Sequence, residues 1–259
     1  MPLKRLIKGM VRAFGYEIVP TVPTRAPISL REQNPDINDE EWKTFELVKP
    51  FTMTSLERAL ASIRATAYIS EHRLPGDIVE CGVWRGGNSM AMAQTLLNRG
   101  DVSRALYLYD TFEGMTEPDS RDVASDGTPA AELLSVARRL EDKNESNVWA
   151  FASLEDVQKN MDLVGYPRGQ TFFVKGPVEE TIPRTIPERI ALLRLDTDWY
   201  ESTKHELVHL YPRLVPGGVL MIDDYGHWSG ARIATDEYFS GSSLFLNRID
   251  YTGRLAIKA

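Results

Sequence analysis

Short apolar runs alternate along this chain with longer segments in which apolar residues recur every three or four positions. The runs contain few polar residues, which is typical of strands buried on both faces of a parallel sheet. They cover residues 77–83, 105–109, 171–174, 190–195 and 218–222. The segments with helical spacing cover residues 38–50, 55–69, 88–97, 130–140, 154–164, 202–214 and 231–239. This alternation predicts a doubly wound α/β sheet.

The two ends of the chain follow other patterns. Two apolar runs, residues 245–249 and 255–258, flank the turn Asp250-Tyr251-Thr252-Gly253 and predict a β-hairpin at the edge of the sheet. Residues 3–14 alternate basic with apolar side chains, which predicts a short helix that packs on the body or on a second subunit, with a membrane surface as the alternative. Residues 20–35 contain four prolines and predict an extended connector.

We therefore expect a helical and extended segment at residues 1–52, acting as a lid or a dimer contact. A single α/β domain should follow at residues 53–259. Between the second strand and the next helix, residues 111–129 form a polar stretch too long for an ordinary connection. This stretch is a candidate active-site loop.

Composition limits the classes of function. The 259 residues are 42% hydrophobic, enough for one substantial core, and the net charge of −7 with no dense basic stripe argues against nucleic acid as a ligand. We expect a small hydroxylated substrate instead. The single cysteine, Cys81, excludes an intramolecular disulfide and a cysteine-bound zinc site. Because no apolar run is long enough to span a membrane and the start lacks a secretory cleavage pattern, we expect a cytoplasmic protein without a membrane partner.

Two pairs of carboxylates follow predicted strands: Asp196 and Asp198 in one place, Asp223 and Asp224 in the other. Parallel strands joined by one helix should bring both pairs to the same sheet edge, where ligands bind in such folds. Like charges this close repel unless a cation or a shared proton neutralises them, and oxygen ligands without histidine or cysteine suit Mg²⁺. We assign Asp196, Asp223 and Asp224 as ligands. The alternative is that Asp223 and Asp224 only cap the following turn and that Asp198 caps the following helix.

Asp198 is the candidate general base. It lies two residues past Asp196, so an extended backbone would point both side chains the same way. A hydroxyl bound to a metal becomes more acidic, and a nearby carboxylate can then take its proton. His205 and His227 are rival bases. His205 lies inside a predicted helix and should be structural, whereas His227 follows the second acidic pair and is kept as a substrate contact.

A glycine-rich turn follows the first predicted strand. Glu80 precedes it, and the glycines stand at Gly82, Gly86 and Gly87, a spacing that differs from the Gly-x-Gly-x-x-Gly of dinucleotide sites. Glycines in such a turn allow a bulky ligand to approach the backbone. The alternative is a turn that serves only the packing of strand against helix.

An acidic residue ends the second predicted strand. Asp110 is placed to accept hydrogen bonds from both hydroxyls of a ribose. NAD-binding folds have an acidic residue at the same place, so Asp110 alone does not identify the cofactor. Phe112 is a candidate for flanking an adenine, with ordinary loop packing as the alternative. Ser153 precedes a predicted helix and is either a plain N-cap or part of a loop that approaches the adenine.

Four motifs together carry a resemblance to a known family. They are Val79-Glu80-Cys81-Gly82-Val83-Trp84-Arg85-Gly86-Gly87, Tyr109-Asp110-Thr111-Phe112-Glu113-Gly114-Met115, Leu195-Asp196-Thr197-Asp198-Trp199-Tyr200 and Ile222-Asp223-Asp224-Tyr225. They resemble the macrocin O-methyltransferase (TylF-like) family. The five parallel strands with a terminal hairpin likewise resemble the class I S-adenosylmethionine (AdoMet) methyltransferase fold, a Rossmann-like doubly wound sheet. Met53-Thr54-Ser55 is similar to the family's lead-in to the core.

The resemblance implies AdoMet and Mg²⁺ as cofactors, Asp196, Asp223 and Asp224 as metal ligands, Asp198 as base, and a homodimer. The residues that it implies in cofactor binding are Met53, Thr54, Glu80, Gly82, Val83, Gly86, Gly87, Ser89, Asp110, Thr111, Phe112, Ser153 and Asp196. The implied reaction transfers a methyl group from AdoMet to a sugar hydroxyl of a glycosylated macrolide or aminocoumarin antibiotic. A catechol-type metal-dependent O-methyltransferase, a nicotinamide-dependent oxidoreductase and a non-catalytic nucleotide-binding protein are the alternatives.

Overall fold

The computed structural model describes residues 28–139 and 148–259. The basic helix predicted at residues 3–14 and the first half of the predicted connector, residues 20–27, lie outside these ranges. The chain divides into two units, Met1–Asn38 and Asp39–Ala259. Within the first unit, helix α1, Leu30–Gln33, interrupts the predicted connector and begins at Ser29, whose hydroxyl accepts a hydrogen bond from the Glu32 amide.

One seven-stranded sheet organises the second unit. The strands lie in the order β3-β2-β1-β4-β5-β7-β6; β1 to β5 are parallel, and β7 pairs antiparallel with both β5 and β6. Their bounds are Asp77–Cys81, Leu106–Asp110, Thr171–Lys175, Ile190–Leu195, Leu214–Ile222, Asn247–Arg248 and Arg254–Ile257. The predicted doubly wound sheet and its terminal hairpin are therefore confirmed.

The helices connect these strands in the predicted alternation. Their bounds are α2 Asp39–Val48, α3 Leu56–Glu71, α4 Gly87–Arg99, α5 Ala130–Ala137, α6 Leu154–Val164, α7 Val178–Thr181, α8 Tyr200–Leu210 and α9 Ser229–Phe239. The short helix α7 was not predicted, and β5 begins at Leu214 rather than at residue 218. No helix among the described residues is long and apolar enough to cross a membrane.

The register of the central strands places the two acidic pairs. All six residues of β4 are buried, as the apolar run predicted. Cys81 lies opposite Leu195 in the β1–β4 pairing, and Leu195 lies opposite Ile222 in the β4–β5 pairing. The chain therefore leaves β1, β4 and β5 side by side, with Asp196 and Asp223 directly after the last paired residues.

The long loop at residues 111–129 is anchored to the helices that follow β4 and β5. Asp122 is buried and accepts a hydrogen bond from the Tyr200 amide at 2.8 Å, at the start of α8. Ala124 forms an isolated antiparallel bridge with Trp228, which precedes α9. These contacts hold the loop beside the carboxyl ends of the strands.

Candidate functional site

Two adjoining clefts open at the carboxyl ends of the strands. The first, of about 720 Å³, is lined by the turn after β1, the end of β2, the long loop and the segment after β3. The second, of about 960 Å³, is lined by the glycine-rich turn, the start of α3 and the acidic residues after β5. Four residues line both clefts: Met53, Trp84, Asp196 and Asp198.

Asp110, at the end of β2, lines the first cleft and shapes the glycine-rich turn. One carboxylate oxygen accepts from the amides of Val83 at 2.7 Å and Trp84 at 2.9 Å, and the other accepts from the Phe112 amide at 2.7 Å. Burial raises the pKa of the Asp110 carboxyl, and the three amides oppose that rise. Asp110 is thus fixed in position at the wall of the first cleft.

The glycines of the turn are required by close backbone approaches. A Cβ on Gly82, where φ is +81°, would lie 1.9 Å from the carbonyl oxygen of Asp196. A Cβ on Gly87 would lie 2.5 Å from the carbonyl oxygen of Phe51. Gly86 has φ of +89° and begins α4. Gly82 and Gly87 thus let the turn after β1 contact the end of β4 and the segment before α3.

A cluster of carboxylates lies at the junction of the two clefts. Oxygens of Asp196, Asp198 and Asp224 lie within 4.8 Å of one another. Asp198 has a left-handed backbone with φ of +66°, so the strand does not continue as expected, yet its side chain still joins the cluster. One buried oxygen of Asp224 has no hydrogen-bond partner among the described residues. Three hard oxygen donors with an unpartnered buried oxygen fit a divalent cation such as Mg²⁺.

Burial governs the electrostatics of this cluster. The pKa of Asp198 is raised to about 7, mainly by loss of hydration and also by the charges of Asp196 and Asp223, while a hydrogen bond with Asp224 and the charge of Arg58 oppose the rise. The same burial raises the pKa of Asp196 and of Asp224 well above the usual range. A bound cation would stabilise the ionised form of these carboxylates, because its charge compensates for the hydration that burial removes.

Asp223 lies beside the cluster, between two arginines. One of its oxygens accepts from Arg194 and the other from Arg58, and the residue is 4% exposed. Asp196 and Asp224 thus come together as expected, Asp198 joins them, and Asp223 forms the second cleft's wall with both oxygens already in ion pairs.

Arg194 is the functional residue that the sequence analysis missed. It is fully buried in β4, and one of its amino groups donates to Glu80 at 2.8 Å and to Asp196 at 2.6 Å. Burial opposes its charge, but Asp196, Asp223 and Glu80 outweigh that effect and raise its pKa. The signal was present in the sequence, because an arginine inside an apolar strand must have carboxylate partners.

Arg58 was missed as well, and it joins the C-terminal turn to the acidic residues. Its Nε donates to Asp250 at 3.0 Å, and the Ser55 hydroxyl donates to the same carboxylate at 2.7 Å. The Thr252 hydroxyl donates to the carbonyl of Asp223 at 2.6 Å. The turn of the hairpin is thus fixed beside the second cleft. A helical arginine carries no sequence signal for such a contact.

The other residues expected to bind cofactor fall into two groups. Eight of them line a cleft: Met53, Thr54, Gly82, Val83, Gly87, Asp110, Thr111 and Asp196. Five line neither cleft: Glu80, Gly86, Ser89, Phe112 and Ser153.

Each member of the second group has a structural contact. The Ser89 hydroxyl donates to Glu80 in the interior, and Phe112, 3% exposed, packs against Phe173 with ring centroids 6.4 Å apart. Ser153 caps α6, its hydroxyl accepting from the Asp156 amide at 3.2 Å. These residues stabilise the glycine-rich turn and the neighbouring helices without lining either cleft.

The two histidines separate as expected. His205 bonds through Nε2 to the carbonyl of Ile182 at 2.9 Å and lines neither cleft, which confirms its structural role. His227 lines the second cleft, its Nδ1 lying 3.2 Å from the Tyr251 hydroxyl. Burial lowers the pKa of His227.

Comparison with known proteins shows the family of this chain. Residues 39–255 match the family model of macrocin-O-methyltransferase (TylF). The chain is 38% identical over 182 residues to the 8-demethyl-8-(2,3-dimethoxy-alpha-L-rhamnosyl)-tetracenomycin-C 4'-O-methyltransferase of Streptomyces olivaceus, covering 70% of this chain and 65% of that one. It is 31% identical over 187 residues to the demethyldecarbamoylnovobiocin O-methyltransferase of Streptomyces niveus, covering 72% and 67%. The chain thus spans about two thirds of the length of these curated relatives.

Among solved structures, the O-methyltransferase NovP has a similar fold, with a TM-score of 0.68 and 29% identity, covering 81% of this chain and 82% of that one. This likeness confirms the class I methyltransferase fold expected from the strand order. The match to the family model extends from the start of α2 into β7, and so includes the residues of both clefts and of the carboxylate cluster. This chain belongs to the macrocin-O-methyltransferase (TylF) family.

Proposed function

We propose that this protein transfers a methyl group from AdoMet to a sugar hydroxyl of a glycosylated small molecule, with Mg²⁺ bound at the acidic cluster. The observation that carries the proposal is the position of Asp196, Asp198 and Asp224 at the junction of two clefts. A donor in one cleft and an acceptor in the other would meet beside a base and a cation. This is the arrangement that hydroxyl methylation needs.

The first cleft is proposed as the AdoMet site. AdoMet supplies an electrophilic methyl group when it is bound. Asp110 would accept hydrogen bonds from the ribose hydroxyls, while Thr111, Met53 and Gly82 would border the rest of the cofactor.

The carboxylate cluster is proposed as the Mg²⁺ site. Asp196 and Asp224 would hold the ion, and Asp223, adjacent to both, would be the third ligand through a lone pair that its arginines leave open. Mg²⁺ supplies a Lewis acid that lowers the pKa of a bound hydroxyl. Asp198 would then accept the hydroxyl proton, because its carboxylate lies within 4.8 Å of those of Asp196 and Asp224.

The acceptor is proposed to be the sugar of an antibiotic, a macrolide or an aminocoumarin. Support comes from relatives that are named for methylation of a rhamnosyl tetracenomycin and of demethyldecarbamoylnovobiocin. His227 would contact this acceptor from the wall of the second cleft. The homodimer and the cytoplasmic location expected from the sequence stay predictions.

The test is a methyl-transfer assay with purified protein, AdoMet and a panel of glycosylated antibiotics and simple catechols, following S-adenosylhomocysteine release. Glycosylated acceptors should be methylated, EDTA should abolish turnover, and added Mg²⁺ should restore it. Turnover that ignores EDTA would refute the metal. Methylation of catechols alone would assign the catechol-type activity instead.

Two variants separate ligand from base. Asp198→Asn should keep Mn²⁺ binding, measured by electron paramagnetic resonance, and lose turnover, whereas Asp223→Asn should weaken Mn²⁺ binding. If Asp198→Asn loses the ion and Asp223→Asn keeps it, Asp198 is the ligand. Asp162→Asn, in an exposed pair with Arg168, is the matched control and should change neither property.

A further inference from the structure

Trp84 lies where the two clefts meet. It is one of the four residues that line both clefts, together with Met53, Asp196 and Asp198. If the donor lies in the first cleft and the acceptor in the second, the methyl group must pass between these four. Two of them are carboxylates and one is a thioether, so Trp84 supplies the aromatic surface at the point of transfer.

The backbone of Trp84 is held in a conformation that large residues rarely adopt. Its φ is +46°, in the left-handed region, where a non-glycine residue is strained. The amide of Trp84 donates to Asp110 at 2.9 Å, and the adjacent Val83 amide donates to the same oxygen at 2.7 Å. The proposed ribose-binding carboxylate therefore also fixes the position of the indole.

The Trp84 indole already contacts one cation. The Arg85 guanidinium lies 5.7 Å from the Trp84 ring centroid and 5.3 Å from that of Phe51. A cation next to an aromatic face is stabilised by the ring's quadrupole, and tryptophan is the strongest of the aromatic residues in this respect.

We infer that the Trp84 indole contacts the positively charged sulfonium of AdoMet and so favours the charged donor over the neutral product S-adenosylhomocysteine. The inference rests on the proposed function and adds to it a residue that selects substrate over product. The two ligands differ by one methyl group and one charge, so a cation–π contact acts on their affinity ratio rather than on binding in general.

Isothermal titration calorimetry on the whole protein, with AdoMet and S-adenosylhomocysteine as ligands, tests the inference. Trp84→Leu should lower the ratio of AdoMet affinity to S-adenosylhomocysteine affinity by about 2- to 30-fold, the range of a cation–π contact. Trp84→Phe should recover part of the ratio. Trp42→Leu makes the same chemical change at a half-buried residue that lines neither cleft, and it should leave the ratio unchanged.

The outcomes separate this inference from the proposed function. If the wild-type protein binds neither ligand, the AdoMet site itself is wrong. If the wild type binds both and Trp84→Leu weakens them equally, Trp84 only shapes the cleft and the inference is overturned. If Trp84→Leu fails to fold by circular dichroism, the decision passes to Trp84→Phe, where an unchanged ratio would reject the contact.

Discussion

Replacing Arg194 by methionine should be among the most damaging single changes in this fold. Arg194 is fully buried and hydrogen-bonded to Glu80, Asp196 and Asp223, which come from three neighbouring strands or strand ends. Methionine fills much of the same space but carries no charge. The Arg194→Met variant would therefore leave the three carboxylates without the cation that compensates them.

The size of the effect follows from these contacts. Removing one partner of a buried ion pair costs about 3–5 kcal/mol, because the remaining charge stays desolvated. Three hydrogen bonds to charged groups at about 1.5–3 kcal/mol each would give a larger sum, but protonation of a carboxylate limits the loss. We expect the free energy of unfolding to fall by about 3–5 kcal/mol near pH 8.

The pH dependence has a definite sign. Burial already raises the pKa of Glu80, and loss of the guanidinium that opposes this rise should raise it further. An acid whose pKa is raised on folding stabilises the fold when it is protonated, below its unfolded pKa of about 4.3, and this contribution is lost as the pH rises through the folded pKa. The Arg194→Met defect should therefore be smaller at pH 5.5 than at pH 8.

Urea denaturation followed by circular dichroism at both pH values measures this defect. Arg168→Met is the matched control, because Arg168 pairs with Asp162 on the surface with 84% of its side chain exposed, and it should unfold within error of the wild type. The charge argument fails if Arg194→Met is as stable as Arg168→Met, or if its defect grows as the pH falls.

Three further expectations concern catalysis, metal binding and backbone geometry. Asp198→Asn should lower turnover by about 10²- to 10⁴-fold, the usual contribution of a general base, and a smaller loss in a saturating AdoMet assay would reject that role. Because burial raises the pKa of Asp198 to about 7 when no cation is bound, and a bound cation favours the ionised form, Mg²⁺ added to the metal-free protein at pH 6.5 should release protons, and a pH measurement in weak buffer that finds no release would contradict this. Gly82→Ala should destabilise the fold more than Gly127→Ala in urea denaturation, since both glycines have positive φ but only the Cβ at residue 82 meets a backbone atom, the Asp196 carbonyl oxygen at 1.9 Å. Equal losses would mean that the strand ends can separate to admit a side chain.

Much of the fold could be predicted from local patterns. The fourth strand was predicted at residues 190–195 and observed at Ile190–Leu195, because its apolar run is bounded by charged residues on both sides. The fifth strand was predicted four residues too short. Pro216 and Gly217 interrupt its apolar pattern, but the strand continues through them, and the Gly217 amide bonds instead to the carbonyl of Lys258. Tertiary pairing decided that boundary, and local propensity does not report it.

The site was predicted less completely than the fold. Parallel pairing brings Asp196 and Asp223 to one edge, which the order of elements implies, but it does not say which oxygens face one another. That choice depends on the left-handed backbone of Asp198 and on the arginines that bind Asp223. Unusual backbone conformations and ion pairs between distant segments depend on how the folded elements pack. A single sequence does not give that packing, so these features could not be predicted.

The contact between Ser55 and Asp250 joins residues 195 positions apart in the chain. Contacts between such distant residues form slowly during folding, because closing a long loop costs entropy before the contact can stabilise the chain. A chain that has folded only its first three strands therefore lacks the wall that the C-terminal turn provides. Ligands that require that wall can recognise only molecules whose folding is complete, and their presence during refolding would raise the yield of native protein by mass action.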